Sequence, residues 1–210
     1  MPSGTSLSGF VAIALVVLLL PGPGVLYIVA RSVGQGHRAG LASALGLSAG
    51  ALVHVAAATA GLSAVLLTSA TAFGIVKALG AGYLIYLGIR TLFAGRPTIS
   101  TEASTPLSLN RFLTDGVVLS VFNPKIAVFF LAFLPQFVEP SLGPVWQQVF
   151  LLGLIYVALA LITDSAYALL AGSLRHWLGG RVMQGPLPRY VSGSLYLGLG
   201  VSAALTGRRH

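Results

Sequence analysis

The chain has 210 residues, 56% of them hydrophobic and only 8% charged, with twelve basic and four acidic side chains and no cysteine. Soluble domains carry about 25% charged residues, so this composition excludes a soluble globule and defines an integral membrane protein. Disulfides, thiolate metal sites and cysteine catalysis are excluded too, and the net charge of +8 is scattered singly between apolar runs, without the basic stripe that nucleic acid requires.

A membrane span takes roughly 20 apolar residues, and six stretches qualify, at about 7–30, 40–68, 72–94, 112–138, 145–172 and 187–207. The first begins like a signal peptide but lacks a basic start and a small-residue cleavage site, and it stays apolar to Ala30. It is expected to remain as the first helix. Inside it stands Pro21-Gly22-Pro23-Gly24, where proline removes a helix hydrogen bond and clashes with the preceding turn. A break is therefore expected there.

The second span carries Gly36, Gly40, Gly46 and Gly50 at short regular spacings. Small residues so placed let helices approach closely, either inside the chain or across a homodimer seam. His54 lies in mid-span, as a packed, hydrogen-bonded ring or as a proton relay. Lys77, one turn inside the end of the third span, is expected to snorkel. A polar linker at 96–107 then separates two halves of a single transmembrane domain, at 5–95 and 108–207.

The fourth span contains Asp115, which either pairs with Arg111 one turn earlier or serves function. It is then interrupted by Asn123-Pro124-Lys125. Glu102 in the linker and Glu139 in the following loop are expected to be solvated. Asp164, in the fifth span, is the deepest carboxylate, and no basic residue lies within a turn of it.

The halves repeat. Ser6-Leu7-Ser8-Gly9-Phe10 aligns with Ser108-Leu109-Asn110-Arg111-Phe112, and Pro21 then falls on Asn123, an offset of 102 residues. The same offset sets His54 on Tyr156. Arg31, Arg38, Arg90, Arg96, Arg111, Arg175, Arg181 and Arg189 all fall in alternate connections. Those connections are expected to face the cytoplasm, leaving both termini outside. Three spans per half then make an inverted repeat.

Counted at 1.5 Å per residue, Pro21 lies about 14 Å and Asn123 about 17 Å from the cytoplasmic ends of their spans. Both breaks thus fall near the bilayer midplane, where freed backbone groups must face protein, water or substrate. Matched broken helices are the strongest sequence pointer to a transporter site. Pro21, Gly22, Pro23, Gly24, Asn123, Pro124 and Lys125 are therefore the candidate substrate-binding residues. The amides after Pro23 and Pro124, together with Lys125, suit a carboxylate. Asp164, Asp115 and His54 are the candidates for proton coupling or ammonium binding. No catalytic triad, phosphate loop or metal-ligand pattern is present, and no cofactor is expected.

At these residues the chain resembles the LysE/RhtB family of amino-acid exporters, of the homoserine/threonine/leucine type. The likeness rests on PGPG, GHRAGLASALGLSAGALVH, KALGAGYLIYLGIRTLFAG and FLTDGVVLSVFNPKIAVFFLAFLPQFV, and it covers nearly the whole chain. It implies a multi-pass protein of the bacterial inner membrane with six helices, exporting amino acids or close derivatives in exchange for protons. Many members carry a polar or acidic residue after PGP where this chain has Gly24, which favours neutral substrates. Another small metabolite, or basic amino acids and cations, is the alternative cargo. An integral-membrane enzyme or a scaffold is the remote alternative.

Overall fold

A computed structural model of the chain describes residues 2–68 and 108–173, with residues 82, 85, 86, 89, 93 and 201 as further helical positions. The linker 96–107, Lys77, most of the stretches 72–94 and 187–207, and five of the eight arginines used for orientation lie outside the described residues. Every regular element among the described residues is helical.

Helix α1 (Gly4–Leu19) starts on the Ser3 side chain, which accepts from the Ser6 amide. It stops because Pro21 and Pro23 cannot supply the amides that would continue it. Helix α2 (Pro23–Gln35) starts with Pro23 in its first turn, where a missing N–H costs nothing and the fixed φ already suits a helix. The two axes meet at 53°. Gly36 then takes φ 90°, a left-handed conformation that glycine adopts freely, and turns the chain into helix α3 (His37–Thr68).

The second half repeats this order. Helix α4 (Leu109–Val121) is capped by Ser108, and helix α5 (Pro124–Val128) by Asn123. Asn123 Oδ1 accepts from the Lys125 amide at 3.0 Å. The bend between α4 and the segment Pro124–Phe137 is 45°. After α5 the chain widens into a π turn over Phe129–Phe133, with the Leu134 amide reaching back to the Phe129 carbonyl, and then tightens over Leu134–Phe137. Pro135 explains the change: it has no amide to donate and crowds the carbonyl four residues back. Helix α6 (Val145–Ser173) closes the described fold.

The first cap residues after each break are Gly22 and Asn123, so the structural offset there is 101 residues, one less than the sequence register. The helices α3 and α6, the bent pair α1–α2, and the bent pair of α4 with Pro124–Phe137 each have the composition and length of a membrane span. Each break falls near the middle of its bent pair.

In lipid, close packing replaces the hydrophobic effect as the force between helices. The glycines of α3 show how. A Cβ on Gly46 would lie 2.2 Å from the Leu113 carbonyl oxygen of α4, and one on Gly50 would lie 2.6 Å from the Val117 oxygen. Gly40 faces Ser32 of α2 and Ala168 of α6. These contacts are all within one chain, as the first of the two readings of the glycine spacing expected for Gly40, Gly46 and Gly50. The largest core cluster is aromatic: Phe129 stacks on Tyr156 with centroids 4.5 Å apart, and Phe10 packs edge-on against Phe137 at 5.5 Å.

Glu139 lies in the surface loop, as expected, but is tethered there. It accepts from the hydroxyls of Ser3, at 2.8 Å, and Ser6, tying the start of α1 to the loop before α6. The hydrogen bonds from Ser6 and then Ser3 hold its carboxyl below the usual glutamate value. Gln148 braces the same loop, accepting from the Glu139 amide and donating to the Glu139 and Gly143 carbonyls. At the opposite end, the Arg31 guanidinium lies over the rings of Tyr27 and Phe112, 5.1 and 5.4 Å from their centroids.

Candidate functional site

The two breaks face one another. A Cβ built on Gly24 would lie 3.8 Å from Asn123 Nδ2 and 3.4 Å from Leu47. Between the breaks is a cavity of about 40 Å³, lined by Gly22, Gly24, Asn123, Lys125 and Asp164 together with Leu18, Val25, Leu47, Ala51, Ile126, Tyr156 and Ala160. One water needs about 10–15 Å³ of such volume, so this conformation has room for about three waters. An amino acid needs the helices to part.

The ends of the broken helices are satisfied unequally. Lys125 is buried and donates from Nζ to the Leu20 carbonyl at 2.8 Å, across the gap to the end of α1. A cation there meets the negative end of that helix. Lys125 was expected to meet a carboxylate; one of its three protons also holds the partner break. The Tyr167 hydroxyl donates to the Leu19 carbonyl at 2.9 Å.

The amides are unequal as well. After Pro124, the Asn123 side chain takes the Lys125 amide, and the Asn123 carbonyl takes those of Ile126 and Ala127. The expected pair of free N-termini is thus reduced to one. At the start of α2, Gly22 has no side chain to cap with. The Gly24 and Val25 amides therefore find no acceptor among the described residues, and both residues line the cavity.

Asp164 is buried on α6 and accepts no hydrogen bond from a described residue. Its carboxylate and the Lys125 ammonium act on one another electrostatically across the cavity. They form no ion pair within 4.0 Å. The cavity therefore presents a fixed positive side, made by Lys125 and the α2 amides, and a negative side made by Asp164. Apolar walls join them.

The other candidates stand apart. Pro21, Pro23 and Pro124 shape the breaks without lining the cavity. Asp115 is half-buried on α4, makes no ion pair with Arg111, and acts electrostatically on Tyr27. His54 lies outside the cavity, its ring beside Phe130 and its Nε2 3.1 Å from the Ser120 carbonyl oxygen. Tyr156 and Tyr167 were not singled out from sequence. A signal existed for both: Tyr156 is the register partner of His54, and Tyr167 lies one turn after Asp164 on the same helix. Among the described residues no cluster of three or more His, Cys, Asp or Glu could hold a metal.

Apolar helices broken in mid-length around one cavity of opposed buried charges define a multi-pass membrane transporter. The chain belongs to the LysE type translocator family, whose model matches residues 15–207; it is not an enzyme. It is 33% identical over 193 residues to the homoserine/homoserine lactone efflux protein of Salmonella typhimurium, a match covering 91% of each chain. It is 27% identical over 194 residues to the leucine efflux protein of Salmonella choleraesuis, again 91% of each. An uncharacterized membrane protein of Vibrio cholerae is 31% identical over 191 residues, 91% of this chain and 92% of that one. No solved structure matches the chain.

Proposed function

We propose that the protein exports neutral amino acids, or close derivatives, from the cytoplasm across the bacterial inner membrane in exchange for protons. The observation that carries this reading is the opposed pair of Lys125 and Asp164 in one cavity beside the uncapped start of α2. A zwitterion needs one anchor of each sign at short separation. Its carboxylate meets the Lys125 ammonium and the Gly24 and Val25 amides. Its ammonium meets Asp164.

The remainder of the lining is apolar, which fits an uncharged substrate side chain. The names of the Salmonella relatives point the same way, since homoserine and leucine both carry uncharged side chains.

Coupling follows from competition. A carboxylate in an apolar site holds one partner at a time. When Asp164 carries a proton it has lost its hold on the ammonium, and when it holds the ammonium it has released the proton. Two mutually exclusive occupants of one site are the minimum that antiport requires. The inverted repeat supplies the motion: two similar halves tilt about the fixed midplane site, opening it to each side in turn.

Uptake of radiolabelled leucine, homoserine and lysine into inverted vesicles, with and without a proton gradient, tests the reading. Saturable uptake of the neutral amino acids that responds to the gradient is expected. Uptake of lysine alone, or of none of the three, contradicts it.

A further inference from the structure

A proline that breaks a helix deprives one carbonyl, four residues earlier, of its regular donor. For Pro23 that carbonyl is Leu19; for Pro124 it is Ser120. In both cases a side chain from a long helix donates to that carbonyl. The Tyr167 hydroxyl on α6 serves Leu19 at 2.9 Å, and the His54 ring on α3 serves Ser120 at 3.1 Å. A carbonyl oxygen only accepts, so His54 must carry its proton on Nε2. The service is reciprocal: the first break is completed from the second half, and the second break from the first.

We infer that His54 and Tyr167 are positioning residues, which hold the two broken helices around the cavity by replacing the amide hydrogens that Pro124 and Pro23 lack. Neither side chain lines the cavity. Each acts through a neighbour that does. The Ser120 carbonyl also accepts from the Asn123 amide at 3.0 Å, so fixing Ser120 fixes Asn123, whose side chain in turn caps α5 at Lys125. Leu19 precedes Leu20, whose carbonyl receives the Lys125 ammonium. The two donors thus bear from opposite sides on the same lysine. In lipid a carbonyl without a donor is costly; without Tyr167 the Leu19 carbonyl loses this donor, and without His54 the Ser120 carbonyl keeps the Asn123 amide but loses its tie to α3.

This assignment gives His54 a task other than proton relay. Its Nε2 is committed to a backbone carbonyl, and its ring centroid lies 6.2 Å from that of Phe130. The consequence for export rests on the transport reading above, whereas the hydrogen bonds can be tested without any substrate.

The test has two arms on the full-length protein in lipid. Nitrogen-15 NMR of the histidine rings, with the His54 signal assigned by its loss in His54→Gln, reads the tautomer directly. A protonated Nε2 at pH 7 is expected; a bare Nε2 overturns the assignment. In vesicles, His54→Leu and Tyr167→Phe are expected to raise KM about five-fold, the value of one lost hydrogen bond. His54→Gln, whose amide can still donate, is expected to recover most of that loss and to keep the wild-type pH profile. A Gln variant as impaired as the Leu variant, or one that loses its pH dependence, overturns the positioning role. A wild-type protein that moves no amino acid sinks the transport reading instead, and the tautomer then decides the positioning role alone.

Discussion

The Lys125 ammonium donates to the Leu20 carbonyl at 2.8 Å, although the two residues are 105 positions apart. One hydrogen bond therefore joins the second break to the first. The residue that carries the positive charge of the cavity also holds the opposite wall in place. A substrate carboxylate that draws the ammonium toward itself pulls against that tie, and this links occupancy of the site to the relative position of the two bent pairs.

Lys125→Met keeps the length and apolar stem of the side chain but removes the charge and its donors. A charged hydrogen bond contributes about 1.5–3 kcal/mol, so amino-acid affinity is expected to fall about 10- to 100-fold while folded protein still reaches the membrane. Transport kinetics beside a membrane-fraction immunoblot check both parts. Near-normal affinity in the variant excludes the assigned role.

Asp164→Asn leaves a neutral group of the same shape in the cavity. Accumulation driven by a pH gradient should disappear, while some downhill exchange survives, because the amide can still meet an ammonium through its oxygen. Vesicles of the variant that concentrate substrate after a pH step would show the coupling group to lie elsewhere.

The close contact of α3 with α4 sets a stability prediction. Gly46→Ala places a methyl against the Leu113 backbone oxygen, where a Cβ would lie 2.2 Å away, and overpacking of this kind costs about 1–3 kcal/mol. Gly61→Ala, on the same helix, meets nothing within 4 Å among the described residues and should be neutral or slightly stabilising. Thermal unfolding in detergent compares the two. Equal midpoints would remove Gly46 from the packing seam.

Glu139 sets the acid sensitivity of the α1 end. Its carboxyl is held below the ordinary glutamate value of 4.5 by the hydrogen bonds from Ser6 and Ser3. A lowered folded value means that the carboxylate stabilises the clasp above the unfolded value, and that this contribution is lost as pH falls through the folded one. The clasp is therefore complete at neutral pH and opens only below about 4.5. Hydrogen exchange at the start of α1, followed from pH 7 to pH 3, should show protection lost in acid. Glu139→Gln should lack that step; an unchanged step in the variant refutes the assignment.

The breaks were legible in the sequence because proline in an apolar run has few other meanings, and two in matched register have fewer still. The four-residue glycine spacing announced close packing, but its targets Leu113, Val117 and Ser32 depend on the tertiary arrangement. The 102-residue offset slipped to 101 at the break, since a side-chain alignment does not reveal which residue becomes the cap. Lys125 was recognised as buried and costly, yet its partner is a backbone carbonyl, and backbone acceptors leave no mark in a sequence. The same holds for Tyr167 and His54. The clasp on Glu139 was not legible, because serine hydroxyls 133 and 136 residues away carry no charge pattern that would pair them with it.

Equilibrium binding to the purified protein in lipid tests the central claim most directly. Leucine is measured against two analogues, isopentylamine without the carboxylate and 4-methylpentanoate without the ammonium, on wild type, Lys125→Met and Asp164→Asn. The account predicts that only the zwitterion binds well to wild type, that Lys125→Met loses the discrimination against the amine, and that Asp164→Asn loses it against the acid. Analogues that compete as well as leucine on wild type, or variants that keep both discriminations, would contradict it.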